Sequence, residues 1–201
     1  MSDDSTPRRT FLGQLALTTV GLSSANRAVA AVEPRSRAGL TPVGSTWDDS
    51  WTGRLGSHHR FVFDLAEEGK ASMVLGQVGT LYDDYGAALD TKDSDMHMVL
   101  VIRHGAINLA LDDQLWTRYK IGTANPSKES LVSLRARGLT ILACNVALMN
   151  HVRQFATASS QDEKAVEQDV RSNLLPGVIP QVNGVYAVHR AQDAGCTLYH
   201  L

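Results

Sequence analysis

A thiol is the strongest nucleophile in this chain, and one of its two thiols stands where a short apolar run gives way to a helical pattern. The run Leu139-Thr140-Ile141-Leu142-Ala143-Cys144 reads as a buried strand, and Val146 to Phe155 follows at helical spacing. Sulfur at such a junction sits by unpaired backbone N–H groups and the positive end of a helix dipole, both of which favour thiolate. Three other runs lead into polar residues. Phe61-Val62-Phe63 ends at Asp64, Met98 to Ile102 ends at Arg103-His104-Gly105, and Val178-Ile179 leads to Asn183-Gly184. If these are parallel strands, their carboxyl ends form one rim, where ligands collect in an open sheet. Cys144 is then the candidate nucleophile, with His104 as proton acceptor or cationic partner. Asp64, Arg103, Gly105, Asn145, Asn183 and Gly184 are the candidate ligand-binding residues. Gly105 permits close backbone approach, and Asn145 can cap the helix. A blander account competes with this one: Cys144 closes a strand as a small hydrophobe, and His104 is a hydrogen-bonded loop residue.

The elements that must position these residues alternate along the chain. Ala71, Val74, Leu75, Val78, Leu81, Tyr82, Tyr85 and Leu89 recur at helical spacing after the first strand. A second helix is predicted over Ile107 to Trp116, and a third over Ser127 to Arg137 with Ser127 as N-cap and Gly138 just past its end. Ser160 and Glu163 have capping-box spacing ahead of a helix running to about Leu175, which Pro176-Gly177 stops. Pro180 marks the fourth strand as short or edge-like. Gly184 to Ala194 is helical, and Cys196 to Leu201 forms the last strand. This order implies an α/β fold: a flavodoxin-like three-layer sandwich around a mostly parallel five-stranded sheet. Cys144 then ends one strand and Cys196 begins another, at opposite edges of the sheet and roughly 17–20 Å apart. A disulfide needs Cα atoms about 4.4–6.8 Å apart, so both thiols are expected to stay unpaired.

Other chemistries find little support. Met96-His97-Met98 has the soft ligands that suit copper(I), the alternative cofactor reading, but strand alternation sends His97 to the face opposite both methionines. No other cofactor is predicted. His58-His59 and His200 are scattered, and no zinc spacing occurs. Walker and Rossmann glycine loops, a G-x-S-x-G elbow and HExxH are all missing. A net charge of −2 at pH 7 is too mild to point to nucleic acid, and none is expected as a partner.

The N-terminus has its own logic. Arg8-Arg9 precede a mildly apolar stretch from Leu15 to Leu22, and Ala28-Val29-Ala30 is a small-residue cleavage site. Residues 1–30 therefore read as a twin-arginine signal peptide, which predicts a periplasmic or secreted protein. The apolar stretch is too short and too diluted with Thr and Gly to span a bilayer, so no membrane anchor is expected after cleavage. Residues 31–59 read as an extended arm whose Trp47 and Trp51 pack on the domain or on a neighbouring subunit. Residues 60–201 form the α/β domain.

The stretches GLTILACNVAL, NLLPGVIPQVNGVYAVHRAQDAGCTLYHL and VIRHGAINLAL resemble the DsrE/DsrF-like (YchN-like) sulfur-relay family. The likeness covers roughly Arg60 to Leu201. Cys144 matches the cysteine after the third strand, and His104-Gly105 match a His-Gly pair. Val182, Gly184, Val185, Gln192 and Gly195 match the C-terminal pattern. Many relatives have Cys-Gly-Asn where this chain has Cys144-Asn145-Val146. The resemblance implies a persulfide held on Cys144, a homo-oligomer (trimer or hexamer), and a protein partner that donates or accepts sulfur. The contrasting expectation is a non-enzymatic oligomeric module that binds a small ligand or metal and keeps its cysteine inert.

Overall fold

Alternating burial along the apolar runs sets the layers. In Met96–Ile102 every side chain except His97 is buried, as a strand with helices on both faces requires. The computed structural model describes residues His59–Tyr199; the segments expected to be a signal peptide and an extended arm, up to residue 58 and including Trp47 and Trp51, lie outside the described residues, as do His200 and Leu201. In chain order the elements are β1 (His59–Leu65), α1 (Ala71–Leu89), β2 (Met96–Ile102), α2 (Asp113–Arg118), α3 (Lys128–Ala136), β3 (Thr140–Cys144), α4 (Asn145–Ser159), α5 (Glu163–Ser172), β4 (Val178–Gln181), α6 (Gly184–Asp193) and β5 (Thr197–Tyr199). The sheet has five strands in the order β4-β3-β2-β1-β5, and every neighbouring pair is parallel. The expected α/β fold of flavodoxin-like type is what the chain adopts, with a sheet that is wholly parallel.

The two faces carry separate cores. Phe63, Leu65, Met98, Leu100, Ile102, Ile141 and Ala143 point into the larger one, beneath α1, α3, α4 and α5. Val62, Val99, Val101 and Leu142 point the other way, against Ala187, Val188 and Ala191 of α6. Winding from β1 to β4 moves steadily across the sheet and lays its helices on one face. The return to β5, beside β1, carries α6 over the other face alone. Met96 and Met98 lie in the larger core, while half-buried His97 occupies the opposite face as alternation predicts.

Several helical expectations change. Instead of a helix over Ile107 to Trp116, the chain makes 3-10 turns over His104–Ala110 and begins α2 only at Asp113. Antiparallel contacts with the end of α5 interrupt it: the Leu175 N–H donates to Ala110 O at 2.8 Å and the Asp112 N–H to Asn173 O at 3.0 Å. Asn125 then fills a gap, its Nδ2 donating to the carbonyls of Leu109 and Leu111 at 2.8 Å each. The capping box also shifts. Ser160 closes α4 in the left-handed region (φ 55), and Asp162 caps α5 by accepting from the Ala165 N–H at 3.1 Å. Those exchanges also draw the end of α5 back to Ser172, short of Leu175. Ser127 precedes α3 without a side-chain cap bond. No helix among the described residues is long and apolar enough to cross a membrane.

Candidate functional site

Where successive strands send their helices to opposite faces, the loops part and leave a crevice at the carboxyl edge of the sheet. Here that happens between β3 and β4. The helix α4 leaves β3 for the larger core, with Ala147, Leu148 and Val152 buried in it. The helix α6 leaves β4 for the smaller one. Cys144 is the last residue of β3 and pairs in register with Gln181, the last of β4, which is completely buried. The thiol therefore lies at the switch point. It is also the N-cap residue of α4, a helix of 15 residues, in extended conformation (φ −70, ψ 111). Val146 and Val185, each the second residue of a helix leaving the crevice, are 53 % and 57 % exposed.

Arg103 is the cation that belongs to this crevice. The β2–β3 register pairs Val101 with Leu142 and Ile102 with Ala143, so its next step sets Arg103 level with Cys144. The backbone N–H of Arg103 donates to Leu65 O at 2.9 Å. Its Nε donates to Asp64 Oδ1 at 2.5 Å and its Nη2 to Asp64 Oδ2 at 2.6 Å, a bidentate fork. The two side chains are 22 % and 16 % exposed. The bond to Asp64 holds the guanidinium above its ordinary pKa. A Cβ built on Gly184 would lie 2.6 Å from Arg103 Cδ and 2.8 Å from its Cβ. Only glycine at the start of α6 leaves room for the arginine stem.

The remaining candidates divide. Asn183 is a structural cap: its Oδ1 accepts from the Tyr186 N–H at 2.7 Å and starts α6. Asn145 opens α4 but leaves the N-cap position to Cys144, and its Oδ1 accepts from Arg171 Nη2 at 3.0 Å. That contact brings a second guanidinium next to the thiol's neighbour, 26 positions away along the chain, where local sequence patterns carry no signal for it. His104 and Gly105 are exposed, and His104 takes left-handed backbone geometry (φ 49). Such a conformation costs a non-glycine residue about 1–2 kcal/mol. His104 and Cys144 are not hydrogen-bonded to each other. The structure thus brings Asp64, Arg103, Gly184 and Cys144 together and leaves His104 on the solvent side of the same loop.

Cys196 has a different setting. Both cysteines are free and buried. Cys196 belongs to the smaller core, and burial pushes its thiol up from 9.0 to about 11. Above pH 9 the unfolded chain releases a proton that the folded chain keeps. The stability contributed by the neutral thiol is therefore intact below that pH and lost as the pH climbs through the folded value. Cys196→Ala should remove about 2 kcal/mol or less of the alkaline decline between pH 9 and 11, measured by denaturant titration. Equal declines in the two proteins would contradict this placement.

Comparison with protein-family models gives no match, and no curated protein matches the chain. Among solved structures, the chain is similar to MTH1491 from Methanobacterium thermoautotrophicum, described as a protein of unknown function. The identity is 19 %, the TM-score 0.47, and the match covers 71 % of this chain and 98 % of that one.

Proposed function

We propose that this protein is exported by the twin-arginine route and carries sulfane sulfur as a persulfide on Cys144. The observation that supports it is a single thiol at the β3–β4 switch point, level with a guanidinium held in place by Asp64. Reactive cysteines occur where a helix starts beside a fixed positive charge, and Cys144 has both neighbours. The thiolate attacks the end of a polysulfide chain, a new S–S bond forms on Cys144, and the shortened chain leaves with the electron pair. His104, exposed and next to Arg103, is available to an incoming donor or acceptor. The family resemblance of residues 60–201 points the same way.

Intact mass after exposure to polysulfide tests the reading. Wild type should gain one sulfur atom, and Cys144→Ser none. An unchanged wild-type mass, or a gain that survives Cys144→Ser, would overturn it. The second reading, a binding module with an inert cysteine, draws on the burial of Cys144, which is only 7 % exposed.

A further inference from the structure

An arginine has five N–H donors, and Asp64 engages one on Nε and one on Nη2 of Arg103. Nη1 and the second Nη2 proton have no partner among the described residues. What remains is a planar, end-on fork of the shape that binds one further oxyanion. Its direction is set on three sides: by Asp64, by the backbone bond from Arg103 to Leu65 O, and by the glycine slot at Gly184. The strand register sets the Arg103 backbone level with Cys144, and the guanidinium lies within electrostatic reach of that thiol. Arg171, bonded to Asn145 and ion-paired with Glu167 at 2.7 Å, stands on the α4 side.

We infer that the free edge of Arg103 is an oxyanion subsite, and that the sulfur donor at Cys144 belongs to the thiosulfate class, a sulfane sulfur bonded to an oxidised, anionic sulfur. This rests on the carrier reading and names its substrate. The Cys144 thiolate attacks the outer sulfur of thiosulfate and a new S–S bond forms. The bond to the sulfonate sulfur breaks, and its electron pair departs with sulfite. A persulfide anion stays on Cys144, total charge is conserved, and no proton or outside oxidant takes part. Charge builds on the sulfonate oxygens as that bond lengthens, so a fork aimed at them binds the transition state more tightly than the ground state.

The test compares loading rates from thiosulfate and from inorganic polysulfide, followed by intact mass, in wild type, Arg103→Lys and Gly184→Ala. Arg103→Lys keeps the charge but loses the fork. Gly184→Ala keeps every charged group and displaces the arginine stem. Thermal unfolding confirms that each variant is folded. The ratio of the two rates cancels any change in the thiol's own reactivity. We expect wild type to load from both donors and the thiosulfate-to-polysulfide ratio to fall about tenfold to a hundredfold in both variants. An unchanged ratio, or a wild type that loads from polysulfide but not thiosulfate, would overturn the subsite and leave the carrier intact. A wild type that loads from neither would overturn the carrier reading itself.

Discussion

Asp64→Ala should cost about 2–3 kcal/mol of stability, because it leaves a half-enclosed guanidinium without its carboxylate. A fully buried broken pair costs more, about 3–5 kcal/mol; Arg103 retains 22 % of its side-chain exposure, so water recovers part of the loss. The variant should also slow sulfur loading, since the arginine is then free to swing away from Cys144. Asp64→Asn keeps one acceptor for Arg103 and should lose less on both counts. Urea titration reads the first effect and intact mass the second. A stability within about 0.5 kcal/mol of wild type would mean that the bidentate pair is an ordinary surface ion pair.

Asn125→Ala is expected to cost a similar amount, about 2–3 kcal/mol, for a different reason. Asn125 is 5 % exposed, and its amide donates to both Leu109 O and Leu111 O while its Oδ1 accepts from the Ser127 N–H at 3.0 Å. Truncation leaves two carbonyls and one N–H without partners in a place that excludes water. Asn125→Asp should be at least as harmful, because an oxygen would then face two carbonyl oxygens. The segment that loses its support is the 3-10 stretch His104–Ala110, which also carries His104 and Gly105. Hydrogen exchange there should rise before the rest of the domain loosens. Wild-type protection across this stretch in Asn125→Ala would contradict the assignment.

How far these features could be read in advance depended on the range of the interactions involved. Strands were legible because burial on both faces imposes continuous apolar runs, and Met96–Ile102 shows such a run in the chain itself. The rim residues followed from where those runs stop. Separation of His97 from Met96 and Met98 needed only the two-residue period of a strand. Strand order was not legible. Nothing local says that β4 lies beside β3 while β5 returns to β1, and that order is what makes Cys144 a switch-point residue. The helix expected over Ile107 to Trp116 failed because Asn125, Asn173 and Leu175 compete for its backbone from far along the chain. Asp64 and Arg103 are both rim residues by pattern, yet their pairing spans 39 positions and depends on the β1–β2 register, which sets Asp64 beside Val101, two residues before Arg103. Asn145 looked like a cap by position, but Arg171 claims its side chain.

Under the proposed function Cys144 is the reactive thiol and Cys196 a structural one, although the two are 7 % and 6 % exposed. Alkylation of the native protein with iodoacetamide at neutral pH, followed by peptide mapping, tests it most directly, because exposure alone gives both residues the same rate. Cys144 should be labelled in the folded protein and Cys196 only in denaturant. Labelling of both cysteines only after unfolding would contradict it, and would leave the crevice between β3 and β4 without a nucleophile.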